Sequence, residues 1–379
     1  MNECSHPRPF GARARSLTFA AALQLFVTAR LHAESFLESR YQYYQEDDRR
    51  IRVDSNYSLF NLDLKDSLSL DGSYLYSVIS GASPSGLPLW WTGASAYSVE
   101  MQDERTALSL GLTKATGNHS LKVGYAHSSE SDYLSNAYSI QDTISFNQKN
   151  TELVVGYSYA NDQVVSGNGV WMPKRSHDAL VGFNQVLSPD DLLSVNLTVG
   201  VRNGFLNDPY KEVLVEQDTP FGPFYSQRPE KRPDSKLEAL LFVQWTHYIN
   251  PLRASVETSY RFGRNDWGSH SNTARVGLYK KFLSDRLIVG PSFRYYRQTA
   301  ARFYSTVAKG NPEHYSADYR LSAEETFSSG VQVRWYAIKD KLAVDAGYER
   351  YVSRGLDRLT PQLAYPSAHS VTLGLHYQF

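Results

Sequence analysis

The residues that could do chemistry are a scatter of histidines, two acidic clusters and one cysteine, and their spacing argues against most of what they could do. His119, His127, His177, His247 and His270 fall near turns and the ends of alternating segments. None belongs to a His-Glu-x-x-His pair, the spacing that puts two imidazoles on one helix face for zinc. No Gly-x-Ser-x-Gly elbow presents a serine nucleophile. A Ser/His or Asp/His pair meeting across two strands keeps a surface hydrolase as a minor alternative. Glu46-Asp47-Asp48, and Glu130 with Asp132, carry the oxygen donors that calcium takes. Neither spacing is that of an EF-hand loop, and solvated acidic loops look the same. Cys4 is the only cysteine, and it falls in a segment read below as a removed leader. Disulfides, thiolate metal sites and Cys-x-x-Cys-His haem attachment are therefore excluded. No catalytic, metal or cofactor-binding residue is expected.

Charges that alternate with apolar residues are more informative. Leu193, Val195, Leu197, Val199 and Val201 oppose Ser194, Asn196, Thr198, Gly200 and Arg202. Ala254, Val256, Thr258, Tyr260 and Phe262 oppose Arg253, Ser255, Glu257, Ser259 and Arg261. Val331, Val333 and Trp335 oppose Gln332 and Arg334. Leu342, Val344, Ala346 and Tyr348 oppose Asp345, Gly347 and Glu349. A period of two is that of a β-strand. The final segment, Val371 to Phe379, alternates most strictly: Val371, Leu373, Leu375, Tyr377 and Phe379 share one face, and Thr372, Gly374, His376 and Gln378 the other.

Composition narrows the class. The chain has 39 basic and 39 acidic residues, so nothing electrostatic favours nucleic acid. Mean hydropathy is −0.44, and no run of about 20 apolar residues offers a membrane helix. The 27 Tyr, 17 Phe, 6 Trp and 24 Gly favour strands, turns and interfacial aromatic girdles. Arg13 and Arg15 followed by the apolar stretch Ser16 to Val27 read as a secretory signal, with a cleavage site at Leu31-His32-Ala33. Residues 1–33 would be removed, leaving 34–379 as one barrel.

From Ser35 onward the pattern is strand, turn, strand, with no long helical stripe. Short turns (Lys65-Asp66, Lys149-Asn150, Ser188 to Asp190, Asn250-Pro251, Ser284-Asp285, Lys339-Asp340) alternate with longer connections, among them a polar loop from Ser129 to Asn136 and a Gly-rich loop from Ser166 to Lys174, apart from a brief connection near Gly268; the longest is the proline-rich stretch 205–234. Short periplasmic turns and long outer loops mark outer-membrane barrels. The expected fold is all-β: a transmembrane antiparallel up-and-down barrel of about 16 strands. Tyr377 and Phe379 would form the terminal aromatic signal read by the barrel assembly machinery. Arg202, Arg253, Glu257, Arg261, Arg334, Asp345 and Glu349 would line the lumen, either pairing across it or bracing and hydrating the wall. Ser80-Gly81-Ala82-Ser83-Pro84 would be a stiffened loop, folded into the pore, gripping a partner or simply forming a loop base. Trp90 and Trp91 would be interfacial or loop-packing.

Three segments carry a family resemblance: Tyr41 to Arg50, Ile79 to Pro84, and Ser129 to Ser135. Together they resemble a family of Gram-negative outer-membrane proteins catalogued as a domain of unknown function. The resemblance implies a barrel in the outer membrane. It also implies neighbours among periplasmic flavin-transfer and redox proteins, and hence a structural role in an extracytosolic electron-transfer assembly, although no residue here binds flavin or haem. The leading functional expectation is a solute channel or a housing for a partner protein. Expected partners are outer-membrane lipid, the assembly machinery and a periplasmic redox protein or lipoprotein, with no nucleic acid.

Overall fold

The computed structural model describes residues 35–65, 67–93, 97–357 and 359–379. The leader at 1–33, its cleavage site and Asp66 of one expected turn lie outside the described residues.

Among the described residues, nineteen strands follow one another along the chain. They are β1 (Phe36–Glu46), β2 (Ile51–Asp63), β3 (Leu68–Pro84), β4 (Ser98–Thr116), β5 (His119–Ser129), β6 (Tyr133–Phe146), β7 (Thr151–Val165), β8 (Trp171–Ser188), β9 (Asp191–Gly204), β10 (Glu212–Thr219) and β11 (Gly222–Pro229). Then come β12 (Ser235–Ile249), β13 (Ala254–Asn265), β14 (His270–Phe282), β15 (Leu287–Gln298), β16 (Val307–Lys309), β17 (Glu324–Ile338), β18 (Leu342–Gly355) and β19 (Ser367–Gln378). Sixteen of them close into an antiparallel barrel, and β10, β11 and β16 form a separate small sheet. Closure is made by β1 on β19, in register from Phe36↔Gln378 to Glu46↔Ala368. A closed sheet leaves no unpaired backbone edge, which is the condition for crossing lipid.

The alternation read from the sequence sorts the two faces. Leu373 and Leu375 stand 54% and 50% exposed on the outer surface. Thr372 and Gly374 line an inner recess together with Arg40 and Arg334. Leu108, Leu110 and Leu112, Val181 and Phe183, Leu197 and Val199, and Val276 and Leu278 continue the outer apolar band. In water each such side chain would forgo about 1.5–3 kcal/mol of burial. Against acyl chains it forgoes nothing. Among the described residues, the large aliphatic side chains that are fully buried, Val213, Leu214 and Val215, all lie in β10 and not at the centre of the barrel.

One rim carries both ends of the described chain, where the Phe379 amide donates to the Ser35 carbonyl at 2.9 Å. That rim also carries the connections 117–118, 147–150, 189–190, 250–253, 283–286 and 339–341, and residues 64, 65 and 67 between β2 and β3. The opposite rim carries 47–50, the described residues of 85–97, then 130–132, 166–170, 205–234, 266–269, 299–323 and the described residues of 356–366. Short turns face the periplasm in such barrels, so the second rim is the outer one.

Several segments read as loops are strand. Ser80 to Pro84 continues β3 and pairs with β4 from Gln102 to Ser98. Residues 133–136 belong to β6 and 171–174 to β8, and the stretch 205–234 contains the hairpin β10–β11. The cause is common to all. These segments lie outside the lipid on the outer side, where a lipid-facing side no longer imposes apolar alternation; in β10 the successive residues Val213, Leu214 and Val215 are all buried. Ladder hydrogen bonds from neighbours hold them instead.

Candidate functional site

The outer mouth is covered by its own loops. Loops 130–132 and 299–323 lie opposite each other, with eight strands between them in either direction round the barrel. Loop 205–234 sits midway and reaches both. On one side the Tyr210 hydroxyl donates to Asp132 at 2.6 Å. On the other, Lys231 and Tyr315 exchange backbone hydrogen bonds of 2.9 and 2.8 Å, and β10 pairs in parallel with β16. Side chains Val213 and Val215 pack on Ala308 and Ala317 beneath Tyr315. A third arm reaches loop 85–97: the Glu212 amide donates to Ser85 O at 2.9 Å, and Lys211 donates to Ser83 Oγ at 3.1 Å and to the Pro84 carbonyl. Loop 356–366 joins through Tyr365, whose hydroxyl is 2.6 Å from Ser322 Oγ and whose ring meets Tyr319 edge-on at 5.8 Å. Two loops at the wall tie in as well: Arg50 donates to Leu363 O at 2.5 Å, and Trp267 packs on Phe303 at 5.2 Å.

An ion network holds this cap. Asp318, almost fully buried, receives Arg232 at 2.7 Å and Arg320 at 2.6 Å. Arg320 also binds Asp208, and Arg232 lies 2.8 Å from Glu230. Glu230 accepts from Ser316 Oγ and from the Asp208 amide, both at 2.5 Å. Burial works to raise the Asp318 carboxyl, but Arg320, Arg232 and Lys211 outweigh it and hold it well below the ordinary carboxylate range. Burial pulls Lys211 below its ordinary value, and burial pushes Glu230 up. Removing one partner from such a buried network costs about 3–5 kcal/mol, because the other charge stays behind unpaired.

Two glycines of the Ser80–Gly86 stretch have steric jobs here. Gly81, at φ 132°, presses on the Arg50 carbonyl. Gly86, at φ 102°, would set a Cβ 2.8 Å from Glu212 O and 3.1 Å from Ala317 O, so only glycine lets the three loops meet. Within the stretch, Ser83 and Pro84 grip this chain's own Lys211. Trp90 and Trp91, on a one-turn helix Leu89–Thr92, pack against Tyr225 of the hairpin at 5.5 and 6.2 Å.

Below the cap, the ion pairs of the lumen wall are local. Arg334 and Asp345 face each other in register and bond twice, at 2.6 and 2.8 Å. Arg202 meets Asp178 on the next strand at 2.8 Å, and Glu257 meets Arg275 on the next at 3.3 Å. Lys122 reaches Asp71 at 2.7 Å over Gly111 of the strand between. Each pair lies along the wall, and among the described residues no ion pair of the wall strands crosses the lumen. Glu349 stands on the same face between Gly330 and Ser370. Arg261 is there too, opposite Thr273. Arg253 is not on the wall. It closes the 250–253 turn with a left-handed φ of 49° and pairs with Asp285 at 2.7 Å on the periplasmic rim. Tyr377 packs edge-on against Phe379 at 5.1 Å on the same rim.

The acidic clusters are tied to cations and hydroxyls of this chain. Glu46 pairs with Arg50 at 3.1 Å and Asp47 with Arg350 at 2.6 Å. Asp103, Glu130 and Asp132 gather within 4.8 Å, but Glu130 meets Arg105 at 3.3 Å and Asp132 holds Tyr210. His119 pairs with Asp142 at 2.7 Å, His127 contacts Asn136 at 3.0 Å, His177 contacts the Tyr157 hydroxyl at 2.8 Å, and His270 stacks on Phe262 at 6.4 Å. His247 and Ser188 both contact the Asp191 carboxylate, at 2.8 and 2.6 Å. The serine is thus on the acid and not on the imidazole, which is not the order a nucleophile needs.

The cap charges Asp208, Lys211, Glu230, Arg232, Asp318 and Arg320 escaped sequence reasoning, since no local pattern marks them. Arg275 and Arg294 carried a usable signal, the period of two in β14 and β15.

No curated protein matches the chain in sequence. Among solved structures it is similar to CdiB from Acinetobacter baumannii, at 8% identity and a TM-score of 0.52, covering 91% of this chain and 60% of that one. A bacterial polysaccharide outer membrane secretin matches at 11% identity and a TM-score of 0.49, over 92% of this chain and 99% of that one. OmpT of Vibrio cholerae matches at 10% and 0.47, over 91% and 98%. The closed sixteen-stranded topology and the outer apolar band make this an outer-membrane β-barrel. Residues 15–174 and 171–379 match the family described as "Protein of unknown function (DUF3570)", and the chain belongs to that family.

Proposed function

We propose that the chain is a solute channel of the Gram-negative outer membrane, closed at rest by its own loops. The observation that carries this reading is a division of labour. The ion pairs of the wall lie along its own surface and so leave the lumen polar and uncrossed, while closure is confined to loops held by an ion network. A barrel of sixteen strands encloses an aqueous space of channel width. Among the described residues, the connections on the periplasmic side are too short to fold across it. The outer face is solvated by lipid, and the assembly machinery handles the barrel during insertion. The protein acts by passage and not by catalysis.

The test is efflux of small sugars and amino acids from proteoliposomes. The wild type should release them slowly, and variants with a loosened cap should release them fast. Equal, slow release from folded variants would overturn the channel.

One observation favours a second reading, a housing. Closure at the outer end alone leaves a polar cavity that a periplasmic redox protein or lipoprotein could enter. That reading requires a polypeptide that co-purifies with the barrel and protects its lumen from labelling.

A further inference from the structure

Among the described residues, every arginine on the inner face of a barrel strand is ion-paired to a carboxylate, with two exceptions. Arg40 has Glu38, Arg105 has Glu130, Arg202 has Asp178, Arg275 has Glu257 and Arg334 has Asp345. Arg261 and Arg294 have none. Both point inward, because their neighbours Tyr260, Phe262 and Phe293 stand on the outer face. They lie on β13 and β15, each four residues below the outer strand ends at Asn265 and Gln298, and so just under the cap.

Their register brings them together. Arg261 is opposite Thr273 of β14, and Thr273 is opposite Tyr296 of β15, two residues from Arg294. Arg294 lies over the Tyr296 ring at 5.7 Å, which holds its guanidinium on this side. With strands about 4.8 Å apart, two arginine side chains reach the same space above Thr273. Arg275, directly opposite Arg294, adds positive charge from below, although Glu257 shares it.

We infer that Arg261 and Arg294 form a subsite for solutes bearing an oxyanion, a carboxylate or a phosphate, on the lumen wall beneath the cap. A guanidinium presents five N–H donors in a fork that matches either group. Elsewhere on this wall the chain supplies its own carboxylate to each arginine. Here the place is left to the solute. The inference rests on the channel reading and names the class of what passes.

The test is isothermal titration of the refolded barrel, at low salt, with inorganic phosphate in one arm and succinate in the other. Saturable binding is expected in at least one arm. Phosphate alone would mark a phosphorylated solute, and succinate alone or both would include carboxylates. The double variant Arg261→Gln/Arg294→Gln should weaken binding about tenfold or more. Arg40→Gln, away from the subsite, should leave it unchanged. Should the double variant fail to fold, Arg261→Lys/Arg294→Lys keeps the charge and loses the fork, and binding should fall while the heat-modifiable barrel persists. Absence of saturable binding in both arms, or undiminished binding by a folded variant, would overturn the subsite. Binding is read without conduction. A barrel that binds but never conducts refutes the channel alone, and one that conducts but never binds refutes the subsite alone.

Discussion

Lys211 donates its ammonium hydrogens to the carbonyl of Pro84, six strands away round the barrel, and the same ammonium nitrogen lies 5.9 Å from the centre of the Tyr319 ring. One side chain thus ties three outer loops. Lys211→Met keeps much of the packing and removes the donors. It should loosen the cap by about 1–3 kcal/mol, the cost of orphaning buried acceptors. Hydrogen exchange at the amides of Val213 to Val215 should quicken while the barrel strands stay protected. Unchanged exchange would show that the lysine does not hold the cap.

Gly86 makes an independent test of the same contact. Gly86→Ala puts a methyl group against Glu212 O and Ala317 O at a φ of 102°. The expected cost is about 1–3 kcal/mol, confined to the cap. Limited proteolysis at the β10–β11 hairpin should speed up without loss of the heat-modifiable barrel. A variant that resists protease like the wild type would mean the loops meet less tightly.

Acid should open the cap. Asp318 has its carboxyl held below its ordinary value of 3.8, so its contribution is complete above that value and is lost as pH falls through the lower, folded one. Glu230 acts oppositely. Its carboxyl is raised by burial, so its ionisation costs stability as pH rises from the ordinary 4.5 through the folded value. Cap protection against pH should therefore fall steeply on the acid side and sag slightly above it. Asp318→Asn should flatten the acid limb and Glu230→Gln the sag. An acid limb that survives in Asp318→Asn would assign it to another group.

The lipid-facing assignment can be tested at two adjacent residues. Leu373→Arg places a charge in the acyl region and should cost about 2–4 kcal/mol in urea unfolding from vesicles. Thr372→Arg, one residue away on the lumen side, should cost far less. The reverse ranking would turn the barrel's faces inside out.

The wall was legible from the sequence because its pattern is local. A period of two survives without knowledge of partners, as at Leu373, Leu375 and Tyr377. Register was not legible. That Arg334 falls opposite Asp345 depends on how two strands align, and alternation alone allows pairing across the lumen as readily as along the wall. Alternation puts Arg253 on the wall only by running one residue into a turn, where a left-handed backbone breaks it. The cap was least legible. Asp208 and Arg320 are 112 residues apart and meet only because the barrel brings loops four strands apart to one rim. Polar, proline-rich sequence such as 205–234 reads as irregular, although its fold is supplied by neighbouring loops.

The central claim is that the loops, and not the wall, close this barrel. The measurement that tests it most directly is single-channel conductance in a planar bilayer, comparing the wild type with the Lys211→Met/Asp318→Asn variant, each shown to be folded. The wild type should be mostly silent with brief openings, and the variant should give stable, larger steps. Equal silence from the folded variant would contradict the account.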